Sequence, residues 1–346
     1  MKINNICVLG GSGFVGHYLV PQLCARGYRV RVLVRRREKA KALIVLPGVD
    51  VVESNFFDPL ELDRQLAGMD AVINLVGILN ESKTGRIDKP QARRGDFHDV
   101  HIELPRRLVH ACAGHGVRRL LHMSALGADP NARSAYLRSK GVGEIVMREA
   151  GMPHREHENW YLNGPKFVHG YGLATTIFRP SVIFGREDHF LNLIAKLVRH
   201  LPVIPLGNPK TQFAPIYVED VAQAFCNAID NRATYGRVYD LCGPRRYTFE
   251  ELVSYVATLN GRKRRIIGLG ERASFLQASV FEFLPGKLIT RDNHASMQYH
   301  SVCEQPIAAE LGITPTALEA VAPQFISGAT REAQLQGMRN RARREV

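Results

Sequence analysis

A glycine-rich segment close to the N-terminus constrains this chain more than any other feature of its sequence. The apolar run Ile6–Leu9 has the composition of a buried strand, and Gly10, Gly13 and Gly16 follow it at intervals of three residues. This spacing permits a sharp turn out of the strand, close approach of the backbone to a pyrophosphate, and tight packing of the following helix. A tight turn without a ligand is the alternative. We predict a dinucleotide-binding loop formed by Gly10, Ser12, Gly13, Phe14, Val15 and Gly16.

The first 125 residues alternate between short apolar runs and amphipathic segments, which is typical of a parallel sheet covered by helices. The apolar runs are nearly continuous in Val, Ile and Leu, as expected when both faces of a sheet are buried. The predicted strands are Ile6–Leu9, Tyr28–Val34, Asp50–Glu53, Ala71–Val76 and Arg119–Ser124. The predicted helices are Gly13–Ala25, Glu38–Ile44, Pro59–Leu66 and Val100–His115. We predict an α/β fold, a Rossmann-type doubly wound parallel sheet with a smaller C-terminal α/β lobe.

The length of 346 residues provides room for two lobes. We assign residues 1–185 plus 211–242 to the Rossmann domain, 186–210 plus 243–330 to a smaller substrate or docking lobe, and 331–346 to a basic tail. Residues 151–170 are rich in Pro, His, Gly and Asn without a clear period, which indicates a surface insertion. Its histidines fit no metal-ligand spacing, so no metal site is expected.

The residues that follow the second predicted strand bear on which dinucleotide binds. An acid there would accept hydrogen bonds from a ribose 2′-hydroxyl, whereas arginine favours a 2′-phosphate. Arg35 and Arg36 follow Val34, and the first acid is Glu38. We predict NADP(H) in preference to NAD(H). A solvated basic patch is the alternative reading of the two arginines.

Tyr136 and Lys140 stand four residues apart on a predicted helix, Ala135–Glu149, and therefore on one face of it. An ammonium beside a phenol favours the phenolate, which adapts a group with a pKa of about 10 to acid–base work near neutrality. Ser124, at the end of the preceding predicted strand, can donate to a substrate oxygen. A Tyr-x-x-x-Lys pair on a helix surface is common by chance. Its position shortly after Ser124 favours a catalytic set of Ser124, Tyr136 and Lys140.

These motifs resemble the short-chain dehydrogenase/reductase superfamily of extended or atypical type. The resemblance is carried by GGSGFVG at 10–16, NLVG at 74–77, HMSALGA at 122–128 and YLRSK at 136–140. Further segments are similar to bacterial relatives of the dehydrogenase-like accessory subunit of respiratory complex I. They are VHIELP at 100–105, FRPSVIFG at 178–185, PIYVEDV at 215–221, and LPG at 284–286 with TRDN at 290–293.

The resemblance implies a C-terminal lobe over a substrate cleft, NADP(H) along Gly10–Gly16, and the Ser/Tyr/Lys group facing the nicotinamide. It also implies cofactor contacts by Asn55, Asp58, Leu75, Val76, Gly77, Tyr136, Lys140, Pro180 and Val182. Relatives touch the adenine near Asn55 and Asp58. Asp58, directly before Pro59, is equally suited to capping a helix.

Two departures from the superfamily pattern leave two functions open. His101 stands where many members carry an Asn that completes a proton relay, and the insertion 151–170 follows the Tyr136–Lys140 helix. One hypothesis is an oxidoreductase that acts on an apolar carbonyl or quinone-like substrate. The other is a non-catalytic nucleotide-binding accessory protein of a quinone-handling or respiratory complex, because the complex I subunit is regarded as binding its nucleotide in a structural or sensing role.

The net charge of +13 indicates an anionic partner. Arg262–Arg265 can meet an acidic membrane surface or an acidic protein complex, or can form a solvated turn. Phe275–Ile289 can line an apolar pocket, lie on a membrane, or belong to the core of the lobe. Nucleic acid is not expected as a partner, because no recognition module is present and the cations are not interleaved with stacking aromatics.

The six cysteines form no C-x-x-C pair and are interpreted as reduced and mostly buried. The N-terminus lacks the apolar core of a secretory signal, and no run of about 18 apolar residues is present. We therefore predict a cytoplasmic protein, with peripheral contact at the inner face of a membrane left open.

Overall fold

The computed structural model describes residues 3–81, 96–152, 172–282 and 290–326. Its strands are β1 Asn5–Leu9, β2 Arg29–Val34, β3 Val49–Glu53, β4 Ala71–Asn74, β5 Arg119–Met123, β6 Ala174–Pro180, β7 Ile183–Phe184, β8 Val203–Gly207, β9 Gln212–Phe213, β10 Ile216–Tyr217, β11 Arg237–Leu241, β12 Tyr247–Thr248 and β13 Arg265–Leu269. Its α-helices are α1 Gly16–Ala25, α2 Lys41–Ile44, α3 Pro59–Leu66, α4 Leu104–Gly114, α5 Ala135–Ala150, α6 Phe190–His200, α7 Val218–Ala228, α8 Phe249–Leu259, α9 Glu271–Phe281, α10 Arg291–Ser296, α11 Leu318–Val321 and α12 Pro323–Ile326. A π-helical turn, Asp99–Glu103, precedes α4.

A seven-stranded sheet in the order β11-β6-β5-β4-β1-β2-β3 organises the N-terminal part of the chain. The five pairings that join β3, β2, β1, β4, β5 and β6 are all parallel. The strand order reverses between β1 and β4, and in doubly wound sheets ligands bind outside the carboxyl ends of the strands at such a point. The predicted Rossmann-type fold is confirmed.

Local signals explain why several elements begin where they do. Asp58 accepts hydrogen bonds from the backbone N–H groups of Leu60 and Glu61, so α3 begins at Pro59 as predicted. The first helix was expected from Gly13 but begins at Gly16, because a turn closes between Gly13 N–H and the carbonyl of Gly10.

Backbone contacts divide the described chain into two units. Met1–Arg179, Val221–Asp240 and Ile307–Ile313 form the first, and Pro180–Asp220, Leu241–Pro306 and Thr314–Val346 form the second. The predicted domain ranges instead assign 180–185, 211–220 and 241–242 to the first lobe and 307–313 to the second. The predicted domain assignment stays a prediction.

Each unit has its own apolar core. In the first, Leu108 of α4, Leu120 of β5 and Met147 of α5 belong to one buried cluster between sheet and helices. In the second, α6 and α8 pack together through residues that include Leu191 and Leu252. The second unit also contains three two-stranded sheets, β7–β10, β9–β12 and β8–β13.

The expectation that all six cysteines are reduced is wrong for two of them, because Cys242 and Cys303 form a disulfide. They are 61 residues apart, so spacing alone gave no signal. The fold brings them together through Ala214, whose carbonyl accepts from Gly243 N–H and whose N–H donates to Ser301. Cys7, Cys112 and Cys226 are buried and reduced, and Cys24 is half-buried and reduced.

Arg119, the first residue of β5, is the largest side chain among the fully buried residues of the described chain and is 2% exposed. Its guanidinium donates to the carbonyls of Ala174, Ala228 and Ile229 and to the hydroxyls of Thr176 and Thr234. Burial lowers the pKa of this guanidinium to about 10. The charge is stabilised by five neutral oxygens, two of them carbonyls at the end of α7, where cations are favoured.

We expect Arg119→Met to lower the free energy of unfolding by roughly 3–5 kcal/mol, because it leaves several buried oxygens without a donor. Urea denaturation of the purified protein measures this change. Arg118→Met is the matched control, because the neighbouring Arg118 is exposed and its loss should cost less than about 0.5 kcal/mol. Equal losses in the two variants would contradict the role given to Arg119.

Candidate functional site

The glycine loop after β1 is built so that only glycine fits at its first position. Gly10 has a φ of +78°, and a Cβ there would lie 3.0 Å from the carbonyl carbon of Leu75 and 3.1 Å from Val76 N. A Cβ on Gly16 would collide with the carbonyl of Gly11. The loop therefore packs directly against the segment that leaves β4, and α1 packs directly on the loop.

The N-terminus of α1 fits a phosphate. No side-chain cap satisfies its first turn, and its N-cap residue is Val15. Ser12 and Phe14 are half-buried and Gly13 is exposed, so a ligand can reach the loop backbone. The backbone N–H groups at the start of a helix and the positive end of its dipole stabilise an anion at such a place. These features match what a dinucleotide pyrophosphate requires.

Arg35 and Arg36 follow β2 directly and are exposed at its carboxyl end. The sequence reading overlooked a nearby acid, Glu53, the last residue of β3. Its register partner in β2 is Val34, and its carboxylate accepts from Arg37 N–H at 3.1 Å. Strand register would have been the signal for it. Selection of a 2′-phosphate by the two arginines stays a prediction.

Asn55 and Asp58 lie between β3 and α3. Asp58 caps α3, which confirms the helix-capping interpretation of this residue. The N–H of Asp58 donates to the carbonyl of Asn55 at 2.7 Å. The N–H of Asn55 donates to Glu61 at 2.5 Å. Both residues therefore shape the turn beyond β3. Their contact with an adenine stays a prediction.

Leu75, Val76 and Gly77 leave β4 beside the glycine loop. Leu75 N–H donates to the carbonyl of Leu9 at 3.0 Å, which ties this segment to β1. Gly77 is exposed, and a Cβ added to it would lie 3.2 Å from Lys140 Nζ. The structure thus brings together the segment after β4 and the lysine of the predicted catalytic set.

Lys140 lies in α5, whose N-cap is Ser134, and its side chain is buried. Its ammonium donates to the carbonyl of Met123 at the end of β5, at 3.0 Å. Burial lowers the pKa of Lys140 to about 8, and the nearby carboxylate of Glu144 partly opposes this shift. The ammonium is therefore held at the carboxyl edge of the sheet, and it titrates near neutrality.

Ser124 and Tyr136 have different surroundings. The hydroxyl of Ser124 is buried and donates to Glu144 Oε1 at 2.5 Å, and Arg179 Nε donates to the same oxygen at 2.7 Å. Tyr136 is half-buried, and its ring meets the ring of His101 edge-on at 5.6 Å. Ser124 therefore has its hydrogen committed to a buried carboxylate. Its role in catalysis stays a prediction.

Glu144 and Arg179 are site residues that the sequence reading missed. Glu144 is 3% exposed at its side chain and forms an ion pair with Arg179. A signal was present, because Glu144 follows Lys140 by four residues and so continues the face of α5 that carries Tyr136.

His101 lies in the π-helical turn and joins two parts of the site. Its Nε2 accepts from Ile78 N–H at 3.2 Å, so Nδ1 carries the hydrogen and donates to Ser139 Oγ at 2.8 Å. Ser139 in turn donates to the carbonyl of Tyr136. Burial, with the nearby charge of Lys140, holds the pKa of His101 well below its usual value. The imidazole is therefore neutral and ties the segment after β4 to α5.

Other predicted features lie elsewhere or outside the described residues. Pro180 ends β6, and Val182 accepts from Ile216 N–H in the second unit at 3.0 Å. Their contact with the cofactor stays a prediction. Most of the insertion 151–170, residues 284–286 and the tail 331–346 lie outside the described ranges. Within those ranges no group of side chains suits a metal ion. Among the helices described, none has the length and apolar character needed to cross a bilayer.

The fold and the glycine loop define a Rossmann-type nucleotide-binding protein. The chain belongs to the NAD dependent epimerase/dehydratase family, whose model matches residues 6–242. It is 32% identical over 261 residues to the mitochondrial NADH dehydrogenase [ubiquinone] 1 alpha subcomplex subunit 9 of Mus musculus, a match that covers 74% of this chain and 61% of that protein. The chain thus spans about three fifths of the length of this relative.

Two further similarities are to reductases. The chain is 29% identical over 269 residues to the ceramide reductase of Caulobacter vibrioides, which covers 76% of this chain and 73% of that protein. Its fold is similar to that of the NADPH-dependent quinone oxidoreductase QOR2 of Escherichia coli, solved with NADPH, with a TM-score of 0.67, 19% identity, and coverage of 92% and 98% of the two chains. The resemblance stated from the motifs is confirmed, and so is membership of an NAD(P)-binding family.

The depressed pKa of Lys140 makes stability depend on pH. Between pH 8 and about 10.5 the unfolded chain keeps a proton on this lysine that the folded chain has released. The free energy of unfolding of the wild type should therefore rise across this window relative to Lys140→Met, by at most roughly 3 kcal/mol. Chemical denaturation of both proteins at pH 7.5 and pH 10 measures the change. A difference between the two proteins that did not vary with pH would contradict the buried ammonium.

Proposed function

We propose that this protein is an NADP(H)-dependent oxidoreductase that acts on an apolar carbonyl or quinone-like substrate. The observation that carries the proposal is the placement of Lys140. A buried ammonium is held at the carboxyl end of β5, beside Gly77 and one helical turn from Tyr136. Side chains at this edge of a doubly wound sheet face the ligand crevice.

The chain's own residues supply acid–base chemistry at this edge. Tyr136 donates a proton to the substrate oxygen or accepts one from it, and the positive charge of Lys140 stabilises the phenolate. When bound, the nicotinamide supplies or accepts a hydride. Gly10, Gly13 and Gly16 let the backbone approach the pyrophosphate, and the start of α1 stabilises its charge. His101 keeps Tyr136 in position through the bonded path to Ser139.

The preference for NADP(H) rests on Arg35 and Arg36, which can form charge-assisted bonds to a 2′-phosphate. Glu53 at the same edge opposes this preference, because a carboxylate there can accept from a ribose 2′-hydroxyl. Two exposed cations outweigh one carboxylate whose oxygen is already bonded to Arg37 N–H.

A second function is favoured by one specific observation. Ser124 donates its hydrogen to Glu144, so as built it cannot polarise a substrate carbonyl. This arrangement supports a non-catalytic nucleotide-binding accessory protein of a quinone-handling or respiratory complex, a role suggested also by the name of the mouse relative. In either function we propose a cytoplasmic location, peripheral at the inner face of a membrane, with an acidic membrane surface or a protein complex as partner.

For the nucleotide preference, we expect the variant Arg35→Ala with Arg36→Ala to bind NADPH roughly 10–100-fold more weakly, since two charge-assisted bonds are lost. Its affinity for NADH should stay within about twofold. Isothermal titration with each nucleotide measures both dissociation constants. Arg29→Ala is the matched control, because Arg29 is an exposed residue at the opposite end of β2. If the wild type bound NADH as tightly as NADPH, the preference would be wrong.

For the acid–base role, Tyr136→Phe should lower turnover by roughly 10²–10⁴-fold and leave the dissociation constant of NADPH nearly unchanged. Oxidation of NADPH is followed with a panel of quinones and long-chain ketones. His101→Asn restores the asparagine of the superfamily pattern and should keep turnover. Full activity of Tyr136→Phe would remove the role of the phenol. Tightly bound NADPH that no member of the panel oxidises would favour the accessory function.

A further inference from the structure

Helix α9 in the second unit buries small residues and exposes large apolar ones, which a helix packed only against a core does not do. The residues it buries are small, Ser274 and Ala278, and a Cβ on Gly207 of β8 would lie 3.3 Å from Ser274. Three of its large apolar residues are exposed, Phe275 by 51%, Leu276 by 65% and Val280 by 54%, whereas Phe281 at its end is half-buried. A surface helix ordinarily shows the opposite arrangement.

The exposed face of α9 is continuous along the helix. Arg272, Phe275, Leu276 and Val280 follow the spacing of one helical face and are all exposed. Helix α9 is held by its opposite side, where Gln277 donates to the carbonyl of Pro205. The apolar face is therefore presented outward by a helix that is fixed in place.

The strands that α9 contacts extend this apolar surface. In the two-stranded sheet β8–β13, Ile204 and Leu206 are buried, whereas Val203 and Ile267 are 41% and 43% exposed. Side chains two residues apart in a strand lie on the same face of the sheet, so Ile267 and Arg265 share a face. Val203 is the register partner of Arg265 and therefore lies on that face as well. Exposed apolar patches of this kind mark interaction sites.

Cations border the apolar surface. Residues 262–282 contain five cations and two carboxylates, a net charge of +3. Arg264 is used within the fold, because it donates to the carbonyl of Val198 near the end of α6. Arg262, Lys263, Arg265 and Arg272 are exposed. The basic run thus contains one structural cation and three that face solvent.

We propose that the surface formed by Val203, Arg262, Lys263, Arg265, Ile267, Arg272, Phe275, Leu276 and Val280, here called the α9 surface, docks onto an anionic lipid bilayer. Large apolar side chains reach the acyl boundary while cations meet the anionic headgroups, and both are needed for reversible binding. The net charge of +3 on residues 262–282 favours an anionic surface over a second copy of this chain, whose same residues would carry a charge of the same sign.

Co-sedimentation of the full chain with vesicles tests the proposal. Binding is expected to phosphatidylcholine vesicles that contain one third phosphatidylglycerol, and not to phosphatidylcholine alone. The triple variant Arg262→Gln, Lys263→Gln, Arg272→Gln should bind roughly 100-fold more weakly, at about fivefold per cation. The charge-matched control, Lys41→Gln, Arg118→Gln, Arg232→Gln, changes exposed cations of the first unit and should stay within about threefold.

The apolar half of the surface needs its own variant. Leu276→Ser with Val280→Ser should weaken binding about tenfold or more, because these side chains would no longer enter the bilayer. The matched control is Val45→Ser with Leu60→Ser, two apolar residues of the first unit that are 80% and 72% exposed. Unchanged nucleotide affinity and thermal unfolding verify that each variant folds.

Three outcomes would overturn the proposal. The first is no binding to the anionic vesicles, and the second is an equal loss in the triple variant and its control. The third is a loss that follows charge alone, with Leu276→Ser and Val280→Ser binding like wild type. That third result would indicate an electrostatic contact with the headgroups that does not use the apolar side chains of α9.

Discussion

The close packing of backbone at the carboxyl ends of β1 and β4 is the constraint on which the site depends. Gly10 takes a left-handed conformation against Leu75 and Val76, so the two loops that leave these strands touch. This contact fixes the path of Gly77, and Gly77 in turn lies beside the ammonium of Lys140. A side chain at position 10 would separate the two loops and move Gly77 away from Lys140 in α5.

Buried charge is the second organising feature of the first unit. Lys140 and Glu144 are both nearly inaccessible, and Arg179 extends from β6 to the same carboxylate. Burial together with the charge of Lys140 lowers the pKa values of His101 and His122, so these two imidazoles stay neutral. Removing charged groups from water costs stability unless an opposite charge and hydrogen bonds offset the loss. Perturbed pKa values also cluster at functional sites. Arg119 differs, because neutral oxygens surround its charge and it joins β5 and β6 to the end of α7.

The sequence predicted the parts of the fold that depend on local signals. The strand, glycine loop and helix at the N-terminus, and α3 with its Asp58 cap, are encoded by neighbouring residues. The hydrogen-bond partners of Ser124 and Arg119 and the disulfide partner of Cys242 are distant in the chain, and no local sequence pattern predicts them. Glu53 was missed for the same reason, because only strand register brings it to the end of β2. For Phe275–Ile289 the sequence left a pocket, a membrane contact and a core open, because apolar composition alone does not show which side of α9 faces solvent.

The hydrogen bond that Ser124 already makes determines whether its hydroxyl can donate to a substrate carbonyl. A bond to a carboxylate is roughly twice as strong as one to a neutral carbonyl, and Arg179 holds that carboxylate in place through a second hydrogen bond to the same oxygen. In the proposed oxidoreductase function, a substrate carbonyl would therefore compete poorly for this hydrogen, and Tyr136 would be the main donor. Losing one of two donors at a developing oxyanion typically costs about 10²–10³-fold in rate. Under the proposed oxidoreductase function, turnover is therefore expected to be slow unless substrate binding breaks the bond between Ser124 and Glu144.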